Sequence, residues 1–134
     1  MNRTNFIPLL IILTTIVSMQ PPFASAQTMC RVVNVRFHPP ETAHPGEVIQ
    51  IGAIVTASCF YYSSVIVDLV DSRSGMILTR TFWPYAPLSN PVSPLLVNNL
   101  LVRDQLGYWP LTLLVYFAGS STGIQFTIFV EPHT

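Results

Sequence analysis

The sequence predicts an all-β protein: a single seven-stranded antiparallel β-sandwich that follows a cleavable N-terminal signal peptide. Two observations predict the sandwich. Apolar and polar residues alternate with period two through most of the chain after residue 27, which is typical of half-buried strands. Turn signals rich in Gly, Pro and Ser recur roughly every eight to twelve residues, a spacing typical of sandwiches. No segment after residue 27 shows a convincing helical periodicity.

The signal peptide is predicted from the layout of residues 1–26. A positively charged start is followed by an uncharged apolar run at 6–19 and by small residues that end at Ala26, which is the three-part pattern of secretion. The apolar run is shorter than the roughly 20 residues that span a bilayer. We expect cleavage after Ala26, one domain at 27–134, a secreted or cell-surface location and no permanent membrane span. Retention of an uncleaved signal as an anchor is the open alternative.

The first three strands are predicted where alternation is clearest. Pro39 and Pro40 end the first strand, Pro45-Gly46 forms a turn before the second, and the polar segment 71–75 forms a hairpin turn after the third. The three strands cover residues 33–37, 49–57 and 65–69.

Four further strands complete the prediction. Alternation is weak in the fourth strand, and the segment 84–94 carries four prolines, so we expect a crossover loop or a ragged edge there. A turn rich in Gly and Ser at 119–123 separates the last two strands. The four strands cover residues 76–83, 95–102, 109–117 and 124–130.

Composition narrows the classes of function. Charged residues make up 9% of the chain and apolar ones 50%, whereas about a quarter charged is typical of soluble domains. Six basic residues balance six acidic ones, and there is no lysine. The absence of a basic run argues against a nucleic-acid partner, and the absence of lysine excludes Schiff-base chemistry.

Two cysteines in an exported chain predict one disulfide, between Cys30 and Cys59. A hairpin around Pro45-Gly46 brings the two residues close together. Their parity differs by one, however, because Cys59 continues the inward set of its strand and Cys30 falls with outward residues. The bond therefore requires a bulge or an irregular start at 30–32. Two free cysteines remain the alternative in a reducing compartment.

Several of these segments resemble an immunoglobulin-like domain. The resemblance rests on Pro45-Gly46-Glu47 before the second strand, on the Asp71…Gly75 turn and on Gly107-x-Trp109-x-Leu111 at the start of the sixth. The sequence is similar to the prokaryotic cell-surface varieties of this domain, such as CARDB-like and macroglobulin-like modules. Antibody domains differ, since Leu111 stands where they carry a cysteine. The resemblance implies a role in adhesion, assembly or ligand display and implies no chemistry.

No catalytic constellation is found in the sequence. His38 and His44 flank a glutamate on one loop and are weak candidates for zinc or copper. A G-x-S-x-G elbow is absent. Asp68 and Asp71 sit three apart on one strand and so point to opposite faces, and we expect Asp71 to cap the following turn. We therefore predict no enzyme activity, no resident metal and no cofactor.

Aromatic and outward-facing apolar residues are the stronger functional signal. Exposed Tyr and Trp can anchor a protein partner, whereas Trp109 is expected in the core. Apolar residues on outward parities either form an interface or lie under the segment 84–94. The candidate contacts are Tyr61, Tyr62, Trp83, Tyr85, Leu114, Tyr116 and Phe129.

The sequence thus favours a non-enzymatic, secreted or cell-surface module that acts by protein binding, adhesion or assembly. Its partner is an unidentified protein or cell-surface component, and self-association is possible on the same apolar surfaces. The alternative is a secreted protein that binds a metal or a small ligand through the loop of His38 and His44. A secreted hydrolase is a distant third hypothesis.

Overall fold

A computed structural model describes residues 30–89 and 91–133. The predicted signal peptide lies outside these residues. The described chain forms eight strands, and a single 3-10 turn at Pro87–Ser89 interrupts the segment between β5 and β6. The strands are β1 (Arg31–Phe37), β2 (Thr42–Ala43), β3 (Val48–Ser58), β4 (Ser63–Asp71), β5 (Ile77–Tyr85), β6 (Leu95–Leu101), β7 (Gly107–Phe117) and β8 (Ser120–Val130).

The strands form two sheets, as an all-β sandwich requires. One sheet has three strands in the order β1-β3-β6, and the other has five in the order β2-β8-β7-β4-β5. Seven strands match the predicted ones in order. The additional strand, β2, has two residues and pairs in parallel with the end of β8, so it carries no alternation that a sequence could show.

Inward-facing residues of both sheets share one hydrophobic core. Ile51, Ala53, Val55 and Ala57 alternate along β3 as the pattern predicts, and each is buried. Trp109 is buried as expected, and its indole N–H donates to the carboxylate of Asp71 at 3.0 Å. Because each sheet buries one face, apolar and polar residues alternate with period two along most of the strands.

The disulfide joins Cys30 to Cys59. It links neighbouring strands of the three-stranded sheet, since Arg31 pairs with Ser58 at the adjacent position. The register of β1 against β3 shifts between Val32 and Asn34, so Val33 is the extra residue of a bulge. This confirms the disulfide and the need for an irregularity, which lies one residue beyond the predicted range.

Tyr85 fastens the five-stranded sheet to the same disulfide. Its ring is 1% exposed. The phenol oxygen accepts a hydrogen bond from the Cys59 backbone N–H at 2.8 Å and donates one to the Cys59 carbonyl at 2.7 Å. The end of β5 is thereby tied to the end of β3 across the sandwich.

Two tight turns set the register of the hairpins. Asp71 accepts hydrogen bonds from the backbone N–H groups of Arg73 and Ser74 at 2.9 and 3.1 Å, which confirms its predicted capping role. Between β7 and β8, Ala118 and Gly119 both have positive φ, 51° and 83°. A two-residue hairpin loop with positive φ at both positions matches the right-handed twist of its strands.

Among the described residues, no helix is long and apolar enough to cross a membrane.

Candidate binding surface

The outer face of the five-stranded sheet brings apolar residues from three strands side by side. Tyr116 pairs with Ile66, and Ile66 pairs with Phe82 on its other side. Leu114 lies one row further along β7, next to Asp68. We call the four residues Ile66, Phe82, Leu114 and Tyr116 the apolar belt. Phe82 is 59% exposed and the other three are half-buried, so the belt is accessible to a partner.

A bulge in the β4–β5 hairpin decides which aromatic residues of β5 belong to the belt. The register shifts between Leu69 and Val70. Without the extra residue, Trp83 and Tyr85 would point outward and Phe82 inward, because a one-residue slip exchanges the two faces. With it, Trp83 pairs with inward-facing Val65, and Phe82 faces outward.

One predicted contact is therefore corrected, and a second stays a prediction. Tyr85 is buried beneath the sheet and cannot offer its ring to a partner, which corrects its assignment as a surface contact. Trp83 is half-buried on the same side, and its ring lies 6.5 Å from that of Tyr85. Phe82 takes the place of Tyr85 on the surface. Only a fixed hairpin register could have identified it, because the alternation of this strand is weak.

Asp68 holds Arg80 in a fixed position beside the belt. The carboxylate accepts two hydrogen bonds, from Nε at 2.7 Å and from an Nη at 2.8 Å. Asp68 is fully buried although it points outward, whereas the Arg80 side chain remains 53% exposed. Hydrogen bonding and charge attraction from Asp68 raise the pKa of Arg80, so the guanidinium stays charged, with other N–H donors facing solvent.

An open groove of about 520 Å³ continues the belt toward one end of the sandwich. Ile66 and Tyr116 form its apolar side, and Ser63, Ser64 and Ser121 supply hydroxyl groups. The β7–β8 turn at Ala118 and Gly119 closes the groove at its end. The lining of the groove thus offers apolar contact and hydrogen-bonding groups together.

Tyr61 and Tyr62 lie on the β3–β4 loop at the same end as the groove. They are 44% and 70% exposed, and the ring of Tyr61 contacts that of Phe60 with 5.0 Å between centroids. The loop leads directly into Ser63, which lines the groove. The structure thus places these two predicted contacts on the loop that leads into the groove.

Phe129 lies at the opposite end of the outer face. It pairs with Tyr108, and the two rings meet at 5.0 Å in an edge-to-face arrangement. Tyr108 is 69% exposed and Phe129 37%. Rows of Pro110 and Thr112 separate this pair from the belt along β7, so Phe129 belongs to a second, smaller aromatic patch.

The histidines are arranged differently from the predicted loop site. His44 stacks on His133 with 4.9 Å between ring centroids. Nδ1 of His44 lies 3.1 Å from the Glu131 carbonyl, and its backbone N–H donates to Glu47. His38 takes no part in these contacts. Within residues 30–89 and 91–133, no group of three or more His, Cys, Asp or Glu side chains is placed to hold a metal ion.

Both carboxylates of β4 serve the fold. Asp68 is engaged with Arg80, and Asp71 holds a turn and the Trp109 indole. Hydrogen bonds from Trp109 and from the Ser74 backbone lower the pKa of Asp71, so it remains an acceptor at neutral pH. The arrangement offers a firm, mostly apolar surface with one fixed cation.

No protein-family model matches this sequence, and no curated protein matches it either.

Proposed function

We propose that the chain is a non-enzymatic, exported immunoglobulin-like module that binds another protein through the outer face of its five-stranded sheet. The observation that carries the proposal is the apolar belt around Arg80. Arginine and aromatic residues dominate the energetics of protein interfaces. A belt on adjacent strands is also held rigid by the sheet beneath it.

The strand order supports the immunoglobulin-like assignment. The three-stranded sheet corresponds to strands A, B and E, and β8-β7-β4-β5 corresponds to G, F, C and C′. The disulfide joins A to B within one sheet, whereas antibody domains bridge the two sheets. A disulfide is the expected staple of an exported domain and so supports secretion or surface display.

The chemistry of the belt indicates what the partner presents. Arg80 has its charge balanced by Asp68, so the site gains little from a highly acidic partner. Its remaining N–H groups fit a carbonyl or carboxylate oxygen, and Phe82 and Tyr116 fit an apolar side chain beside that oxygen. We infer a partner that offers an apolar anchor next to a single acceptor.

Site-specific photo-crosslinking tests the proposal. A photoreactive phenylalanine analogue is placed at Phe82 in the exported protein, and at Val33 as the matched control. Both positions are about half exposed, at 59% and 52%, but they lie on different sheets. We expect a discrete protein adduct on the source cells from position 82 and none from position 33. No adduct from position 82, or equal adducts from both, would contradict the proposal.

A further inference from the structure

The long edge of β8 lacks the devices that normally protect an exposed strand. Its eleven residues contain no charged side chain and no proline. They pair with β7 without any register shift, so the edge carries no bulge. Natural proteins usually block such edges with lysine, proline, bulges or a covering segment. An unblocked edge of this length is a template for another strand.

The other edges of the sandwich are protected. β1 carries two arginines and the bulge at Val33, and β5 carries Arg80 and Pro84. β6 is also uncharged, but β5 covers it: the Thr81 hydroxyl donates to the Val97 carbonyl at 2.8 Å, and the Asn98 amide donates to the Thr79 hydroxyl at 2.7 Å. Within the described residues, β8 therefore stands apart from the other three.

The chain itself shows that this edge accepts a strand. β2 pairs with Phe129 and Val130 at its far end, where the Phe129 N–H donates to the Glu41 carbonyl at 2.9 Å. Because backbone direction alternates along a strand, the N–H and C=O groups of Thr127, Gln125, Gly123 and Ser121 point to the same side. No described strand pairs with them there.

We propose that β8 pairs antiparallel with β8 of a second copy of this chain, which joins the two five-stranded sheets into one. This inference goes beyond the proposed function, because it uses the sheet edge and leaves the belt open. The edge is self-complementary. It has no charge that would repel a second copy, and its free stretch from Ser121 to Thr127 can pair over its whole length with the same stretch of that copy. A two-fold axis at Ile124 sets Gly123 opposite Gln125 and Ser121 opposite Thr127, with about eight interchain hydrogen bonds.

Side-chain burial supports the same register. Ile124 and Phe126 face the interior but are only half-buried, because no described strand lies beyond this part of β8, away from the two residues that pair with β2. Across the two-fold axis, Ile124 of one copy would meet Ile124 of the other on the inner face. The pairing would thus cover apolar surface that the single copy leaves partly open.

Sedimentation velocity over a range of concentrations tests the proposal, on protein secreted by an expression host with its disulfide intact. We expect a monomer–dimer equilibrium for the wild type. Thr127→Lys should weaken dimerisation at least tenfold, because each copy would place a lysine, a residue that natural edges use to block pairing, opposite Ser121 with no opposite charge beside it. Leu95→Lys is the matched control: it adds the same charge to the other uncharged edge, at a residue that is 62% exposed, and should leave dimerisation unchanged.

A compensating variant tests the register. In the double variant Ser121→Glu/Thr127→Lys, each glutamate faces a lysine of the second copy, so dimerisation should return to near the wild-type level. Circular dichroism and melting temperature confirm that each variant is folded. A wild type that stays monomeric at millimolar concentration overturns the proposal. So does loss of the dimer in Leu95→Lys alone, or failure of the double variant to recover.

Discussion

Asp71 connects a surface turn to the core through one carboxylate. One oxygen accepts the backbone N–H groups of Arg73 and Ser74, and the other accepts the Trp109 indole N–H. The charged form makes these bonds best, which is why the pKa of Asp71 is lowered, chiefly by Trp109. The residue thereby couples the β4–β5 turn to a buried side chain of β7.

This coupling predicts how stability depends on pH. Because the folded-state pKa of Asp71 lies below its unfolded value of 3.8, its contribution is complete above that value. It is lost as the pH falls through the lowered folded-state pKa. Asp71→Asn should therefore reduce the free energy of unfolding at pH 6 by about 1–2 kcal/mol. Urea unfolding from pH 6 to pH 2 measures the difference between the two proteins.

The comparison with Asp71→Asn isolates this residue, because the other carboxylates titrate equally in both proteins. The gap should narrow steadily below pH 4. A constant gap down to pH 2 would show that the charge of Asp71 does not contribute.

At the scale of elements, the β7–β8 hairpin carries a conformational cost at its turn. Ala118 has φ of 51°, a left-handed conformation that disfavours side chains with a Cβ. Gly119, at φ of 83°, is the residue type suited to such a position. The hairpin thus holds one favourable and one unfavourable turn residue next to each other.

Glycine at position 118 and alanine at position 119 should change the free energy of unfolding in opposite directions. Ala118→Gly should raise the free energy of unfolding by about 0.5–1 kcal/mol, because relief of the left-handed strain outweighs the added chain entropy. Gly119→Ala should lower it by about 1 kcal/mol or more for the converse reason. Chemical denaturation of both variants beside the wild type checks the pair. Destabilisation by Ala118→Gly would indicate that the methyl group's packing against the core dominates.

At the scale of the whole molecule, the disulfide closes the N-terminal part of the fold. Cys30 and Cys59 are 29 residues apart, and their bond ties the start of β1 to the end of β3. Replacing both with alanine should lower the free energy of unfolding by about 3 kcal/mol, since the unfolded chain regains that loop entropy. Urea unfolding of the variant beside the oxidised wild type measures this loss, and reduced wild type is the control for the change of side chain. A loss below about 1 kcal/mol would show that the strands hold this end without the bond.

Much of the architecture could be predicted, because a strand that is buried on one face shows alternating apolar and polar residues in its own sequence. Alternation identified seven strands, the buried Trp109 and the need for a bulge near the disulfide. Contacts between segments that are distant in the chain produce no such local sequence pattern. β2 is two residues long, and the stacking of His44 on His133 joins residues far apart in sequence.

The candidate surface was harder to predict than the fold. Leu114 and Tyr116 were identified by parity, and their role in binding stays a prediction. The exchange of Phe82 for Tyr85 followed from one bulge in the β4–β5 hairpin, where Leu78 is the extra residue, and no alternation pattern reveals it. Arg80 faces Asp68 only because the same bulge sets that register.

The double hydrogen bond between Tyr85 and Cys59 has a consequence for the aromatic loop beside it. Cys59 is held by the disulfide and by the Tyr85 phenol, while Ser63, on the other side of the loop, pairs with Tyr85 in the sheet. The three intervening aromatic residues therefore stand on anchored ends. A partner that engages Tyr61 or Tyr62 meets a preorganised loop, and little of the binding energy is spent on ordering its backbone.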